Sequence, residues 1–127
     1  MNISSGMTEP MVLLVGWPGH GRDALAELVR SQAGMFALDC ADTGLLALKS
    51  AREHRLRAVI IGSGLPDLEV IELVRQLKLH FSSMRCMVLA ERSEIQRESL
   101  LAGADVVMPS GASWGQLMPV IQRLIEG

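Results

Sequence analysis

The sequence contains no tyrosine, two phenylalanines and two tryptophans among 127 residues. Its core must therefore be built from Leu, Val, Ile, Ala and Met. Cysteine is almost as scarce, with only Cys40 and Cys86 present, and no His or Cys spacing resembles a metal site. Both cysteines fall at predicted strand positions, where a thiol serves as a small buried hydrophobe. No apolar run approaches the roughly 18 residues of a membrane span. The first ten residues, MNISSGMTEP, lack a basic region followed by an apolar core, so they do not form a signal peptide. They are expected to be a flexible lead-in (1–10) to a single domain over 11–127. Neither sign of charge dominates: Lys and Arg number 12 against 14 Asp and Glu, a net charge of -2. That balance gives no electrostatic reason to expect nucleic-acid or membrane-surface binding by this domain. Together these absences fit a protein of the reducing cytoplasm.

What is present is a strongly apolar chain, 49% hydrophobic and 20% charged, long enough for one domain with a real core. Met11–Val15 (MVLLV) is a continuous apolar run stopped by Gly16 and Pro18, which predicts a buried strand. Arg22–Ser31 follows with Leu25, Leu28 and Val29 at helical spacing. Phe36–Cys40 is a short second strand, and Gly44–Glu53 a helix. Ala58–Ile61 is the third strand, followed by a helix over Leu68–Leu79 with Asp67 as its cap. Cys86–Ala90 is the fourth strand. Ser93-Glu-Ile-Gln96 fits a capping box opening a helix that ends near Gly103. Asp105–Met108 is the fifth strand. Ser113-Trp-Gly-Gln116 is a second capping-box pattern, opening a last helix to Ile125 with Pro119 inside it. Five apolar strands alternating with five helices predict an α/β fold, a three-layer, doubly wound, five-stranded parallel sheet.

Several stretches resemble one family when taken in order. LPDLEVIELVRQLK (65–78) is similar to the loop and third helix of response-regulator receiver domains, often LPDMDGLELLRRLR. Gly44–Leu48 (GLLAL) matches the usual G-E-E-A-L. Leu100–Ser113 (LLAGADVVMPSGAS) resembles L-x-A-G-A-D-G-Y-L-L-K-D-A-S without a gap. Arg22, Asp23 and Leu25 match the R-E-x-L that opens the first helix. The closest pattern is that of receivers preceding a helix-turn-helix output domain. The resemblance implies a flavodoxin-like (CheY-like) sheet of strand order 2-1-3-4-5. Cys40 and Cys86 then lie on strands three spacings apart, roughly 14 Å, too far for a disulfide.

The resemblance also implies a site at the carboxyl ends of the strands. Receivers hold Mg²⁺ with two acids after the first strand and an aspartate after the third, and that aspartate accepts a phosphoryl group. A hydroxyl after the fourth strand and a lysine after the fifth bind the phosphoryl oxygens. In this sequence the acid pair falls on Gly16 and Trp17, the acceptor on Gly62, the hydroxyl on Ala90 and the lysine on Ser110. The switch aromatic of the fifth strand falls on Val107. Every position departs from the pattern. Ser63, beside the missing acceptor, lacks a positioned base. The expectation is a pseudo-receiver: no catalysis, no metal, no cofactor, and the fold retained. Trp17 either fills the vacated pocket or lies on the surface of its loop.

A second reading concerns Gly16–Gly21 (GWPGHG), which joins a strand to a helix as phosphate-binding loops do. Asp39, near the end of the second strand, would then hold a ribose hydroxyl. This gives the alternative of a small nucleotide- or anion-binding domain. The spacing is G-x-x-G-x-G, however, and Trp17 and Pro18 crowd the turn. His20 is expected to be a solvated loop or helix-start residue, and His54 and His80 to sit near helix ends, where positive charge suits the dipole.

With a silent pocket, surface remains the resource. In the family the fourth helix, fifth strand and fifth helix form the usual partner face. Here that face is expected to include Ile95, Val107, Trp114 and Met118, and to bind a protein partner or a second copy. Leu45 and Leu46 stand where the family often has Glu, and one of them is expected to face outward. The functional expectation is a protein-interaction module in two-component-type signal transduction; a third reading is a degenerate receiver cut from a longer regulator.

Overall fold

The computed structural model describes residues 11–16, 26–27, 31, 37–62 and 64–126. The strands are β1 (Met11–Val15), β2 (Ala37–Ala41), β3 (Leu56–Ile61), β4 (Arg85–Ala90) and β5 (Val106–Pro109). The helices described in full are α1 (Gly44–Glu53), α2 (Asp67–His80), α3 (Ser93–Ala102) and α4 (Trp114–Glu126). The helix expected over Arg22–Ser31 is described only at Ala26, Glu27 and Ser31, which are helical. It carries no label here, so the family's fourth and fifth helices are α3 and α4. The lead-in lies outside the described residues.

All strand pairs are parallel, in the order β2-β1-β3-β4-β5. Side chains alternate across a strand, so each strand feeds two cores. On one side Leu13, Val15, Val59, Ile61, Cys86 and Val88 meet α1 and α2 through Ala47, Ala51, Val70, Val74 and Leu77. On the other, Val12, Leu14, Ala58, Ile60, Met87 and Leu89 meet α4 through Leu117, Ile121 and Leu124. Burial on both faces explains why β1 and the Ala58–Ile61 part of β3 are apolar without alternation.

The element boundaries move by one or two residues from the sequence reading, and some moves have causes. Asp67 is the first residue of α2 and not its cap; extended Pro66 takes that place without a side-chain hydrogen bond. Asp67 and Glu69 instead supply negative charge to the first turn, where the helix dipole favours it. The first predicted capping box does not form. Ser93 lies inside α3, and Arg92 is the cap, with no side-chain bond. Gln96 turns away and donates to the Ala90 carbonyl at 2.8 Å. The second box does form: Ser113 N donates to Gln116 Oε1 at 2.9 Å, and Gln116 N to Ser113 Oγ at 3.3 Å. Gly103 ends α3 at φ +120°, a conformation that glycine alone adopts readily.

Cys86 is buried as expected, but Cys40 is exposed. The reason is position: β2 is the outermost strand on its side of the sheet. Neither cysteine forms a disulfide, in keeping with the strand order. Burial pushes the Cys86 thiol up to about 12, with the Asp105 charge adding to it.

Candidate functional site

The carboxyl ends of β1, β3, β4 and β5 meet at one edge of the sheet, and backbone hydrogen bonds lock them together. Gly16 N donates to the Ala41 carbonyl at 3.0 Å, and Gly62 N to the Val15 carbonyl at 2.9 Å. Ser110 N donates to the Ala90 carbonyl at 3.3 Å. The family-aligned positions Gly16, Gly62, Ala90 and Ser110 are thus brought to one end of the fold. Gly62, Ala90 and Ser110 line a single cavity of about 230 Å³, with Gly64, Leu65, Val70, Leu89 and Ile95 as apolar wall and Asp67, Glu91 and Arg92 as rim. Gly16 is buried, with φ at +93°, a conformation strained for any residue with a Cβ. Trp17, His20, Ser63 and the rest of the Gly16–Gly21 loop lie outside the described residues.

The charges at the rim are committed to one another. Arg92 donates to Asp67 Oδ2 at 2.8 Å and also to Glu94. Its guanidinium is held still more firmly protonated than usual, first by the hydrogen bond to Glu94, then by the Glu94 and Asp67 charges. All three side chains are about half exposed, so the pairing fixes geometry more than it adds stability. It ties the loop after β4 to the start of α2, while Gln96 ties the start of α3 to Ala90. Sequence reasoning missed this clamp. The available signal was an arginine two residues beyond Ala90, but its partner Asp67 lies 25 residues away.

The dinucleotide alternative placed Asp39 at the end of β2. It is the third of that strand's five residues. Its Oδ1 accepts from Cys40 N at 2.9 Å and its Oδ2 from Ser50 Oγ at 3.0 Å. The carboxylate therefore serves the β2–α1 contact.

A larger cleft, about 500 Å³, opens at the opposite end of the sheet between the ends of α1 and α2. Arg52, His54, Arg55 and His80 line it. These basic side chains sit where two helices end. His54 caps α1 and His80 is the last residue of α2, as expected from sequence.

No family model matches the chain. Transcriptional regulatory protein PrrA of Mycobacterium tuberculosis is 32% identical over 127 residues, covering 98% of this chain and 53% of that protein. The chain thus spans about half the length of the curated relatives it matches. A CheY-like response regulator receiver domain protein from Methanospirillum hungatei superposes with TM-score 0.82 at 18% identity, covering 94% of this chain and 95% of that one. This is the receiver fold. A further receiver of the same shape, that of the Saccharomyces cerevisiae response regulator Ssk1, was solved in complex with the histidine phosphotransfer protein Ypd1. It covers 91% of this chain and 88% of that one, with TM-score 0.77 at 17% identity.

A magnesium ion does not fit the described part of this pocket. Gly16 and Gly62 offer no side-chain oxygen where acids are needed, and Asp67 is engaged by Arg92. Among the described residues no group of three or more His, Cys, Asp or Glu side chains could hold a metal.

The partner-face residues divide. Ile95 and Met118 are buried, at 7% and 9% exposure, which corrects the expectation that they would form an open surface. Ile95 lines the cavity, and Met118 packs with Leu117 and Ile121 in the α4 core. Val107 is half-buried. Trp114 opens α4, and its side chain is outside the described set. The exposed apolar side chains of this region are Leu100 and Leu101 on α3. Leu45 and Leu46 both face outward. No described helix is long and apolar enough to cross a membrane.

Proposed function

We propose that this chain is a receiver-type domain that works without phosphorylation, as a non-enzymatic protein-interaction module in cytoplasmic two-component-type signalling. The observation that carries this reading is the cavity at the end of β3. The position that would hold the acceptor carboxylate is Gly62, and the two positions that would grip the phosphoryl oxygens are Ala90 and Ser110. A glycine has no atom to phosphorylate, and Ser110 brings no cation to balance a phosphoryl charge. Arg92, the cation at the rim, is neutralised by Asp67 and Glu94.

A module of this kind acts by binding. Binding of Ypd1 by the Ssk1 receiver is a precedent for a receiver that recognises a protein. The surface of α3, β5 and α4 is the proposed partner face, with Leu100 and Leu101 as its open apolar contacts. No metal or cofactor enters this function, nor does contact of this domain with nucleic acid or membrane.

The test is incubation with acetyl phosphate and Mg²⁺, followed by intact-mass spectrometry. The expected result is no phosphoryl adduct, and no change in amide spectra with beryllofluoride and Mg²⁺. A stoichiometric adduct on any Asp would sink the reading.

A further inference from the structure

Among the described residues, the large hydrophobic side chains left exposed are Leu45, Leu46, Leu68, Leu79, Leu100 and Leu101. All stand on α1, α2 and α3, the helical layer on one side of the sheet. On α2 they have a specific arrangement. Val70, Ile71, Leu73, Val74 and Leu77 are buried, so the opposite stripe, spaced 4, 3 and 4 residues apart, is Leu68, Glu72, Arg75 and Leu79. Leu68 is 81% and Leu79 70% exposed. Glu72 and Arg75 pair with each other at 2.5 Å, both about half exposed.

This stripe is complementary to itself when reversed. Turned end for end about its midpoint, between Leu73 and Val74, α2 places Leu68 opposite Leu79 and Glu72 opposite Arg75. The helix dipole accounts for acids early and bases late in a helix. It does not account for two exposed leucines at mirror positions. Other charges of α2 are already engaged and do not enter the argument: Asp67 holds Arg92, Glu69 accepts from Gly44 N, and Lys78 bonds Asp105.

We propose that a second copy of this chain docks on α2, forming an antiparallel, two-fold symmetric helix pair. A two-fold interface requires one patch to complement itself, and this stripe does so in both charge and apolarity. Leu68 meets the partner's Leu79 at one end and Leu79 meets the partner's Leu68 at the other. The two contacts lie about 16 Å apart at the helical rise. Between them two Glu72 and two Arg75 side chains form a four-charge cluster that fixes the register. The face is distinct from the α3, β5 and α4 surface proposed above, so the inference stands apart from the phosphorylation reading.

Sedimentation velocity across a concentration series is the first test, with a monomer–dimer equilibrium expected that weakens with salt. Arg75→Glu or Glu72→Arg alone should weaken self-association at least about tenfold, because like charges then face each other. The double exchange Glu72→Arg with Arg75→Glu should restore it. In a Cys40→Ser background, Leu68→Cys protein mixed with Leu79→Cys protein should form a disulfide-linked pair, and Leu68→Cys protein alone should not. All these positions are exposed, and melting curves will show that the variants fold. A chain that stays monomeric at every concentration, its stripe left for a different protein, overturns the proposal. So does a double exchange no better than the single changes, or efficient cross-linking of Leu68→Cys with itself.

Discussion

Replacing Gly103 by alanine tests how α3 is joined to β5. Gly103 ends the helix at φ +120° and ψ 5°. Its N–H bonds the Leu100 carbonyl at 3.0 Å, and the next N–H, of Ala104, bonds that of Ser99 at 3.0 Å. An alanine here pays a left-handed strain of about 1–2 kcal/mol. Its Cβ would also stand 3.1 Å from Lys78 Cγ and 3.2 Å from Lys78 Cβ. Lys78 cannot simply swing away. Its Nζ is held by Asp105 Oδ2 and by the Met84 carbonyl, each at 2.9 Å, and Asp105 Oδ2 also accepts from Cys86 N at 2.7 Å. Loosening this partly buried network adds up to about 1 kcal/mol. The expected destabilisation is about 2 kcal/mol, a fall in Tm of roughly 8 °C for a domain of this size. Circular-dichroism melting and urea titration read it. Gly111→Ala is the control: nothing lies within 4 Å of its added Cβ and its φ is not positive, so it should change stability by less than about 0.5 kcal/mol. Equal effects from the two substitutions would refute the reasoning.

Other expected outcomes concern the thiols, a helix cap and the core. With an aromatic disulfide reagent near pH 8, Cys40 should react at once and Cys86 only in denaturant, because one thiol is exposed and the other buried; two equally fast thiols would contradict the sheet order. Cys86 holds its proton up to about 12 in the fold against an ordinary thiol value of 9.0, so the unfolded chain ionises first. Stability should therefore fall as pH rises from about 9 towards 12, by up to about 1.4 kcal/mol per pH unit, and a Cys86→Ala variant should show a shallower slope in the same urea series. Ser113→Ala removes the capping oxygen of α4 and should cost about 1 kcal/mol, measured by urea unfolding. Ile121→Ala empties a fully buried position between α4 and the sheet and should cost about 2–5 kcal/mol by the same measurement.

The sheet was legible because its signal is local and repeated. MVLLV and CMVLA can hardly be anything but strands covered on both faces, and β1 runs over the five residues assigned to it from sequence. Gly103 and the Ser113–Gln116 box were legible for a similar reason, since each acts within one helical turn. What escaped depends on partners distant in the chain. Asp67 looks like a cap until Arg92 is placed beside it. Gln96 completes a box on paper, yet in space the Ala90 carbonyl is the acceptor within reach. Ile95 and Met118 belong to a surface by family analogy, yet one lines the cavity and the other packs with Leu117 and Ile121. The positions of the candidate site could be read by alignment; the cavity they enclose could not, since its volume is set by side chains that are missing.

The strand order has a last consequence, for how such chains can associate. β5 lies at one margin of the sheet and is only four residues long. Ser110 N–H points inward to the Ala90 carbonyl, so Pro109, one residue earlier, turns a nitrogen without a hydrogen towards the open side. A foreign strand laid there would find one rung of its ladder absent. Growth of the sheet beyond β5 is thereby discouraged, and encounters between copies at this margin are diverted to the helices beside it, where contacts are discrete and come to an end instead of propagating into fibres.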